Sequence, residues 1–378
     1  MTLVVQHAHA GNLYGGIETI LTTLARTADA APDVRHRFAL CFEGRLADEL
    51  RAAGAQVDLL GPTRISRPWT VARARRRLRA LLADSVPGIA ACHSTWSHAI
   101  FGRVFRAAGV RSTFWLHGPA GGHWLDSWAR RTRPDLVLCN SRYTAATAPQ
   151  LFPATRSVVL HYPVAPGPEL APAVRAALRT SLSVPEGTCV LLQVSRMERG
   201  KGHAVLLDAL AALRDRGDWT CWIVGGAQRR SELAYERALR HRASALGLGS
   251  RVRFLGQRAD VPQLMEAADV FCHPHTWSEA FGVVFVEAML HRLPIVGSAL
   301  GGPLEIVDPE CGILVEPGRP HELAQALAQL LDDPQLRSRL GSRGPARARA
   351  LCDPAGQQHK LAALLLDLAA SPVSREVA

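Results

Sequence analysis

Short apolar runs alternate with amphipathic helical patterns along almost the whole chain, and this rhythm constrains the fold more than any other feature. In the first half the runs are Leu3–His7, Phe38–Phe42, Ile89–His93, Thr113–His117, Leu136–Cys139 and Val158–Leu160. In the second half they are Cys189–Val194, Thr220–Val224, Val252–Leu255, Val270–His273, Pro294–Val296 and Ile313–Val315. Helical patterns lie at 17–30, 71–83, 203–216, 231–246, 280–291 and 321–332, with a final one at 354–373. The runs are continuous rather than alternating, which marks strands buried on both faces. Strand–helix alternation then calls for parallel sheets covered by helices. The rhythm breaks at Tyr162–Pro168, where three prolines and a glycine can continue neither a helix nor a central strand. A chain of 378 residues is also longer than one core usually serves. The expectation is two doubly wound α/β domains, with ligands bound at the C-terminal ends of their strands in the cleft between them.

Composition narrows the class. Hydrophobic residues make up 48% of the chain and mean hydropathy is +0.03, so this is a globular protein rather than a disordered one. The net charge of +11 favours anionic partners. Part of it is concentrated at Arg73, Arg75, Arg76, Arg77 and Arg79, which read either as a solvated helix face or as a contact with a membrane surface. No leader pattern precedes the first apolar run, and no stretch is long and apolar enough to span a bilayer. The eight cysteines are scattered and form no C-x-x-C pair, as expected of a reduced, cytoplasmic protein without disulfides or zinc.

Two segments of the second half could carry chemistry. In Val194–His203, Arg196 and Lys201 lie five residues apart in a glycine-bearing loop between a strand and a helix. Two such cations can converge on one anion, helped by the helix N-terminus, and a diphosphate suits them. A solvated basic turn satisfies the same spacing. The second segment runs from Trp277 to Met289 and places Glu279 and Glu287 around Phe281, Gly282 and Val283. Glu287 interrupts an apolar helical stretch, where an unpaired carboxylate would be costly. Both acids suit the hydroxyls of a ribose or hexose; a capping acid plus a salt-bridged helix acid is the bland alternative. Gly301 and Gly302 follow the next strand and permit close approach of a ligand, or simply a tight turn.

The first half offers a glycine loop from Gly11 to Gly16 that lacks the G-x-G-x-x-G fingerprint. His117 ends an apolar run, where it can face a ligand or serve as a hydrogen-bonded structural histidine. The pairs His7/His9 and His273/His275 have a spacing that could suit a metal, but no third ligand accompanies either. Trp96, Trp115, Trp124 and Trp128 crowd the loops, and Trp96 and Trp124 are candidates for stacking on an acceptor.

Taken together, the chain resembles the retaining glycosyltransferases of family 4, which have the two-domain GT-B fold. The resemblance runs through Gly15-Gly16-Ile17-Glu18, Leu116-His117-Gly118, Asn140-Ser141, Arg196 with Lys201, and Glu279 to Glu287. It continues through Gly301-Gly302 with Glu305 and through Gly312–Gly318. It implies an acceptor-binding domain at 1–165, a nucleotide-sugar-binding domain at 166–353, and a tail at 354–378 that returns to the first domain. It also implies roles. Arg196 and Lys201 bind the donor diphosphate, Glu287 the ribose, and Glu279 the donor sugar. Phe281, Gly282, Val283, Gly301 and Gly302 cradle phosphate or sugar. Gly15 and Gly16 approach the phosphates, and His117 touches the sugar near its reacting face. A nucleoside-diphosphate sugar is then the co-substrate, and neither a metal nor another cofactor is expected. The acceptor hydroxyl belongs to a glycan, a lipid-linked molecule or a small molecule, and nucleic acid is not a partner. A GT-B sugar epimerase, or a basic protein that binds membrane surfaces or nucleic acid, is the alternative. The family often has glycine where this chain has Arg292, so the end of the preceding helix is expected to differ.

Overall fold

The computed structural model describes residues 2–12, 15–122, 124–167 and 169–371. Leu13 and Tyr14 of the first glycine loop and Pro168 of the proline-rich break lie outside the described residues. The chain forms two compact units, Met1–Ala165 together with Cys352–Ala378, and Pro166–Leu351.

The first unit holds seven parallel strands: β1 (Leu3–His9), β2 (Val34–Leu40), β3 (Gln56–Leu59), β4 (Ile89–Cys92), β5 (Arg111–Leu116), β6 (Leu136–Cys139) and β7 (Ser157–Val159). Their order is β3-β2-β1-β4-β5-β6-β7, so the winding reverses between β1 and β4. Two features escape a search for apolar runs. β3 is an edge strand in which Gln56 and Asp58 break the run, as polar residues commonly do at an edge. β2 begins at Val34, because Val34 and His36 turn inward while Arg35 faces out.

The two faces of this sheet differ chemically. One packs Ala8, Ala39, Cys92, Phe114 and Cys139 into an apolar core with the helices Pro68–Asp84 and Thr95–Ala107. Successive strand residues point to opposite faces, so the other face carries His7 and His9 of β1. The C-terminal helix Pro354–Ala370 joins this unit through Gln358, whose Nε2 donates to the carbonyl of Leu24 at 2.7 Å.

The second unit holds six parallel strands: β8 (Cys189–Val194), β9 (Trp219–Val224), β10 (Val252–Gly256), β11 (Val270–His273), β12 (Ile295–Ser298) and β13 (Gly312–Val315). The order β10-β9-β8-β11-β12-β13 reverses between β8 and β11. Leu191, Cys221, Ile223 and Val296 build its core with Leu206, Leu210, Leu323 and Leu327 of the covering helices. In open α/β sheets ligands bind beyond the C-terminal strand ends at such a reversal. Here that position is flanked by the loops that carry Arg196, Lys201 and Glu279. Among the described residues no helix is long and apolar enough to cross a membrane.

Candidate functional site

In the second unit three loops are pressed together beyond the strand ends. Gly202 adopts a left-handed conformation (φ +75°), and a Cβ there would fall 1.7 Å from the carbonyl oxygen of Pro274. Only glycine lets the loop after β8 lie so close to the loop after β11. Thr276 N donates to Gly200 O at 2.8 Å and ties the two loops. The loop after β12 joins them, since Gly301 forms an isolated parallel bridge with Glu279 and Gly302 N donates to Glu279 O at 2.8 Å.

This packing brings Lys201 to Glu279, with Nζ 2.5 Å from Oε2 and both side chains partly open to solvent. Arg196 is held by its neighbour Glu198 at 2.8 Å and is 41% exposed, so its guanidinium remains accessible. The H-x-H pair lies beneath. His275 is tied to the carbonyls of His273 and Leu300. His273 is buried 4.0 Å from Glu279, and burial together with Lys201 holds it well below the usual histidine range. Among the described residues no group of three or more His, Cys, Asp or Glu is placed to hold a metal ion.

The helix expected from 280 starts at Val283, because Glu279 belongs to the extended bridge and Gly282 (φ +96°) serves as the N-cap. Glycine brings no capping side chain; Phe285 N donates back to Gly282 O at 3.0 Å, and among the described residues no side chain caps the amides of Val283 and Val284 at the positive dipole end. Phe281 has its ring buried in the core, so only its backbone can face a ligand. Glu287 lies one turn into the helix, on the face of Val283, and side chains on a helix tilt toward its N-terminus. The Glu287 carboxylate is half-buried and has no hydrogen bond or ion pair among the described residues. Burial pushes it up to about 7. It is a polar group in an apolar helix that the described residues leave unanswered.

The end of that helix is not altered by the missing glycine. Arg292 takes the left-handed conformation (φ +57°) that glycine would. Its N–H donates to Met289 O at 3.0 Å, and Leu293 N donates to Ala288 O at 3.0 Å. These are the two bonds of a Schellman cap, formed with a side chain at the strained position.

The candidates of the first unit sit differently. Gly15 and Gly16 begin the helix Gly16–Arg26, with the Gly15 N–H bonded to Glu18 Oε2 at 2.9 Å and Glu18 Oε1 2.8 Å from His9 Nε2. Burial raises the Glu18 carboxyl, but the His9 bond and charge together with the backbone N–H bonds outweigh this and hold it below the ordinary value. His117 is bonded on both ring nitrogens, to Tyr162 through Nδ1 and to His93 through Nε2 at 3.2 Å. Burial lowers it to about 3, so the ring is neutral at physiological pH. Trp96 is half-buried and packs edge-on against Phe101, whereas Trp124 is 61% exposed. Tyr162 and His93, which hold the His117 ring, were not legible in the sequence as its partners. The recurrence of histidine within and at the ends of strands was the only available signal.

Comparison with known proteins identifies the architecture. The family described as Glycosyl transferases group 1 matches residues 174–347, and that described as Glycosyltransferase Family 4 matches residues 14–166. The chain belongs to the group 1, family 4 glycosyltransferases. Among curated relatives, the D-inositol 3-phosphate glycosyltransferase of Corynebacterium glutamicum (strain R) is 36% identical over 177 residues, which is 45% of this chain and 42% of that protein. The protein of the same name from Corynebacterium diphtheriae is 31% identical over 59% of this chain and 55% of its own length. The match thus spans about half the length of these relatives or less. Anabaena Alr3699/HepE, solved with UDP and glucose, superposes with a TM-score of 0.84 at 25% identity over 97% of this chain and all of that one. Sucrose-phosphate synthase from Thermosynechococcus elongatus shares the fold at 21% identity with a TM-score of 0.79. The fold is GT-B, built of two Rossmann-like units.

Proposed function

We propose that the protein transfers a hexose from a nucleoside-diphosphate sugar to an acceptor hydroxyl, with retention at the anomeric carbon and without a metal ion. The observation that carries this reading is Glu287, an unpartnered, half-buried carboxylate behind an uncapped helix N-terminus at the strand reversal. Ribose hydroxyls would donate to it. Each such charge-assisted bond is worth about 1.5–3 kcal/mol. Arg196, Lys201 and the amides from Val283 onward supply positive charge for the diphosphate. Glu279, released from Lys201 as the diphosphate takes up that ammonium, accepts hydroxyls of the sugar.

As the bond between the anomeric carbon and the leaving phosphate oxygen breaks, positive charge grows on the sugar and negative charge on the diphosphate. Preorganised cations at the diphosphate stabilise that state without reorganising. The acceptor oxygen bonds to the anomeric carbon from the same face, and its proton passes to the leaving diphosphate oxygen. No protein carboxylate then needs to serve as nucleophile, unlike in the two-carboxylate hydrolases. Gly16 and His117 of the first unit are proposed donor contacts on the strength of the family pattern.

The neighbour solved with UDP-glucose makes that compound the first donor to test, and the relatives' names put an inositol phosphate among the acceptors. A thermal-shift screen over nucleoside-diphosphate sugars tests the donor class, because a true donor stabilises the fold by mass action. Transfer that continues in excess chelator and gives a product of retained configuration by NMR supports the mechanism. An inverted product overturns retention, and a total loss in chelator overturns metal independence.

The basic helix supports a contact with an anionic membrane surface. Arg73, Arg76, Arg77 and Arg79 are exposed beside Trp69, itself 64% exposed. Arg75 departs from the cluster: it turns inward, donates from Nε to Ile100 O at 2.8 Å and lies over Trp128. Replacing the four exposed arginines should abolish co-sedimentation with phosphatidylserine vesicles, and binding that survives would refute the contact.

A further inference from the structure

One histidine of the second unit is buried without a partner. His273 closes β11 and is 1% exposed, and neither of its ring nitrogens has a hydrogen-bond partner among the described residues. The other member of its H-x-H pair shows the usual case: His275, just as buried, has Nδ1 3.1 Å from His273 O and Nε2 2.9 Å from Leu300 O. Buried polar groups are nearly always paired, because leaving one unpaired is costly. An orphan beside a ligand site therefore points to a partner gained in another state.

The geometry names that partner. His273 Nε2 lies 4.0 Å from Glu279 Oε2, beyond bonding distance, and the same oxygen is 2.5 Å from Lys201 Nζ. The carboxylate thus stands between an ammonium that holds it and an imidazole that nearly reaches it. The imidazole is the fixed member, since its ring lies parallel to that of Phe271 and meets that of Phe285 edge-on, with centroids 6.2 Å and 5.3 Å away. The backbone of Glu279 is fixed as well, bridged to Gly301 and bonded to Gly302 N. Its carboxylate is not: the side chain is 21% exposed, and a shift of about 1 Å at Oε2 reaches hydrogen-bond distance. Charge explains why the free protein does not make that bond. Burial, helped by the Lys201 charge, keeps His273 neutral, and a neutral N–H does not displace an ammonium from a carboxylate.

We propose that His273 is the second partner of Glu279: when a diphosphate takes up the Lys201 ammonium, the Glu279 carboxylate turns to His273, which donates from Nε2 and holds one carboxylate oxygen while the other accepts a sugar hydroxyl. The exchange spares a partly buried carboxylate from standing alone once its cation is engaged elsewhere. It also fixes the orientation of Glu279 only when a donor is present. His273 is then a positioning residue that acts on the sugar through Glu279. The trigger rests on the reading of Lys201 as a diphosphate contact; the ability of His273 to take Glu279 does not.

The test compares the full chain labelled with ¹⁵N-histidine, wild type against Lys201→Met, at neutral pH and without nucleotide. His273→Phe assigns the signal. Removing the ammonium should hand Glu279 to His273 with no ligand present, so the Nε2–H proton of His273 should move downfield, and adding Glu279→Ala should cancel the change. A His273 ring that is the same in wild type and Lys201→Met overturns the proposal. Should that variant not fold, Lys201→Ala asks the same question. UDP is then added to the wild type, where the same downfield move is expected. A move in Lys201→Met but none in UDP-bound wild type would uphold the pairing and overturn Lys201 as the diphosphate contact. Affinity supplies the second readout, with UDP-glucose or whichever nucleoside-diphosphate sugar raises the melting temperature most. His273→Phe should weaken binding of that sugar nucleotide about tenfold, the scale of one hydrogen bond to a charged group, and leave the affinity for UDP unchanged. His273→Gln keeps an N–H on a side chain of similar reach and should recover part of the loss. An equal loss in the two variants would mark His273 as packing alone and overturn its positioning role.

Discussion

The helix Gly16–Arg26 of the first unit and the helix Val283–Leu290 of the second meet the same electrostatic problem in opposite ways. The first has its positive end answered by Glu18, which takes the Gly15 N–H and is itself held by His9. The second begins at Gly282, which offers no side chain, and carries an unpartnered carboxylate one turn later. At the first helix start the polar groups satisfy one another; at the second, among the described residues, the carboxylate has no such partner. On the proposed reading an anion is met at Gly282, while the corresponding helix start of the first unit is already occupied by its own carboxylate.

The contrast is broken most severely by removing the cations of the open site. Arg196→Ala with Lys201→Ala should lower transfer by at least about 10²–10³-fold, the cost of losing one preorganised charge contact, with circular dichroism unchanged. Transfer near the wild-type rate would mean that the diphosphate binds elsewhere. Gly301→Ala comes next: a Cβ there would fall 2.3 Å from Glu279 O at φ +76°, so Glu279 must move. A loss of about 1–3 kcal/mol in urea unfolding is expected, together with weaker donor binding.

The two units should also respond oppositely to pH. His7, His36, His93 and His117 of the first unit have folded values below their ordinary 6.5, so the unfolded chain takes up more protons there. Stability is then lost as pH falls below 6.5. Glu287 is raised from 4.5 to about 7, so the unfolded chain loses that proton first and stability is lost as pH rises through this window. Glu287→Gln should accordingly raise the melting temperature of the free protein near pH 8, and the gain should vanish near pH 4.5. A gain that is equal at both ends would show that burial of the charge is not its cause. The smallest effect belongs to Arg292→Gly, which relieves a left-handed side chain and should stabilise by up to about 1 kcal/mol in urea unfolding.

How far the sequence could be read follows the same division. The second sheet was legible strand by strand because its strands are continuous apolar runs, and the Arg196, Lys201, Glu279 and Glu287 pattern was legible because its spacing is local. The conformation of Arg292 was not, since the pull of Schellman bonds on a side-chain-bearing residue leaves no mark in composition. In the first unit β3 was hidden by Gln56 and Asp58 at an edge. The contacts among His7, His36, His93 and His117 were hidden because they come from two strands and from just beyond the ends of two others, and Gln358 reaches Leu24 from more than three hundred residues away. Long-range polar contacts of that kind have no sequence period.

The central claim is that Glu287 is held unpaired for the ribose of a nucleotide, and titration calorimetry of UDP, with other nucleoside diphosphates alongside, tests it most directly. Wild-type protein should bind its nucleotide more tightly as pH rises through about 7, because hydroxyls donate to the ionised carboxylate. Glu287→Gln should bind roughly ten- to a hundredfold more weakly and without that pH dependence. Equal affinity of the two proteins across the range would contradict the account.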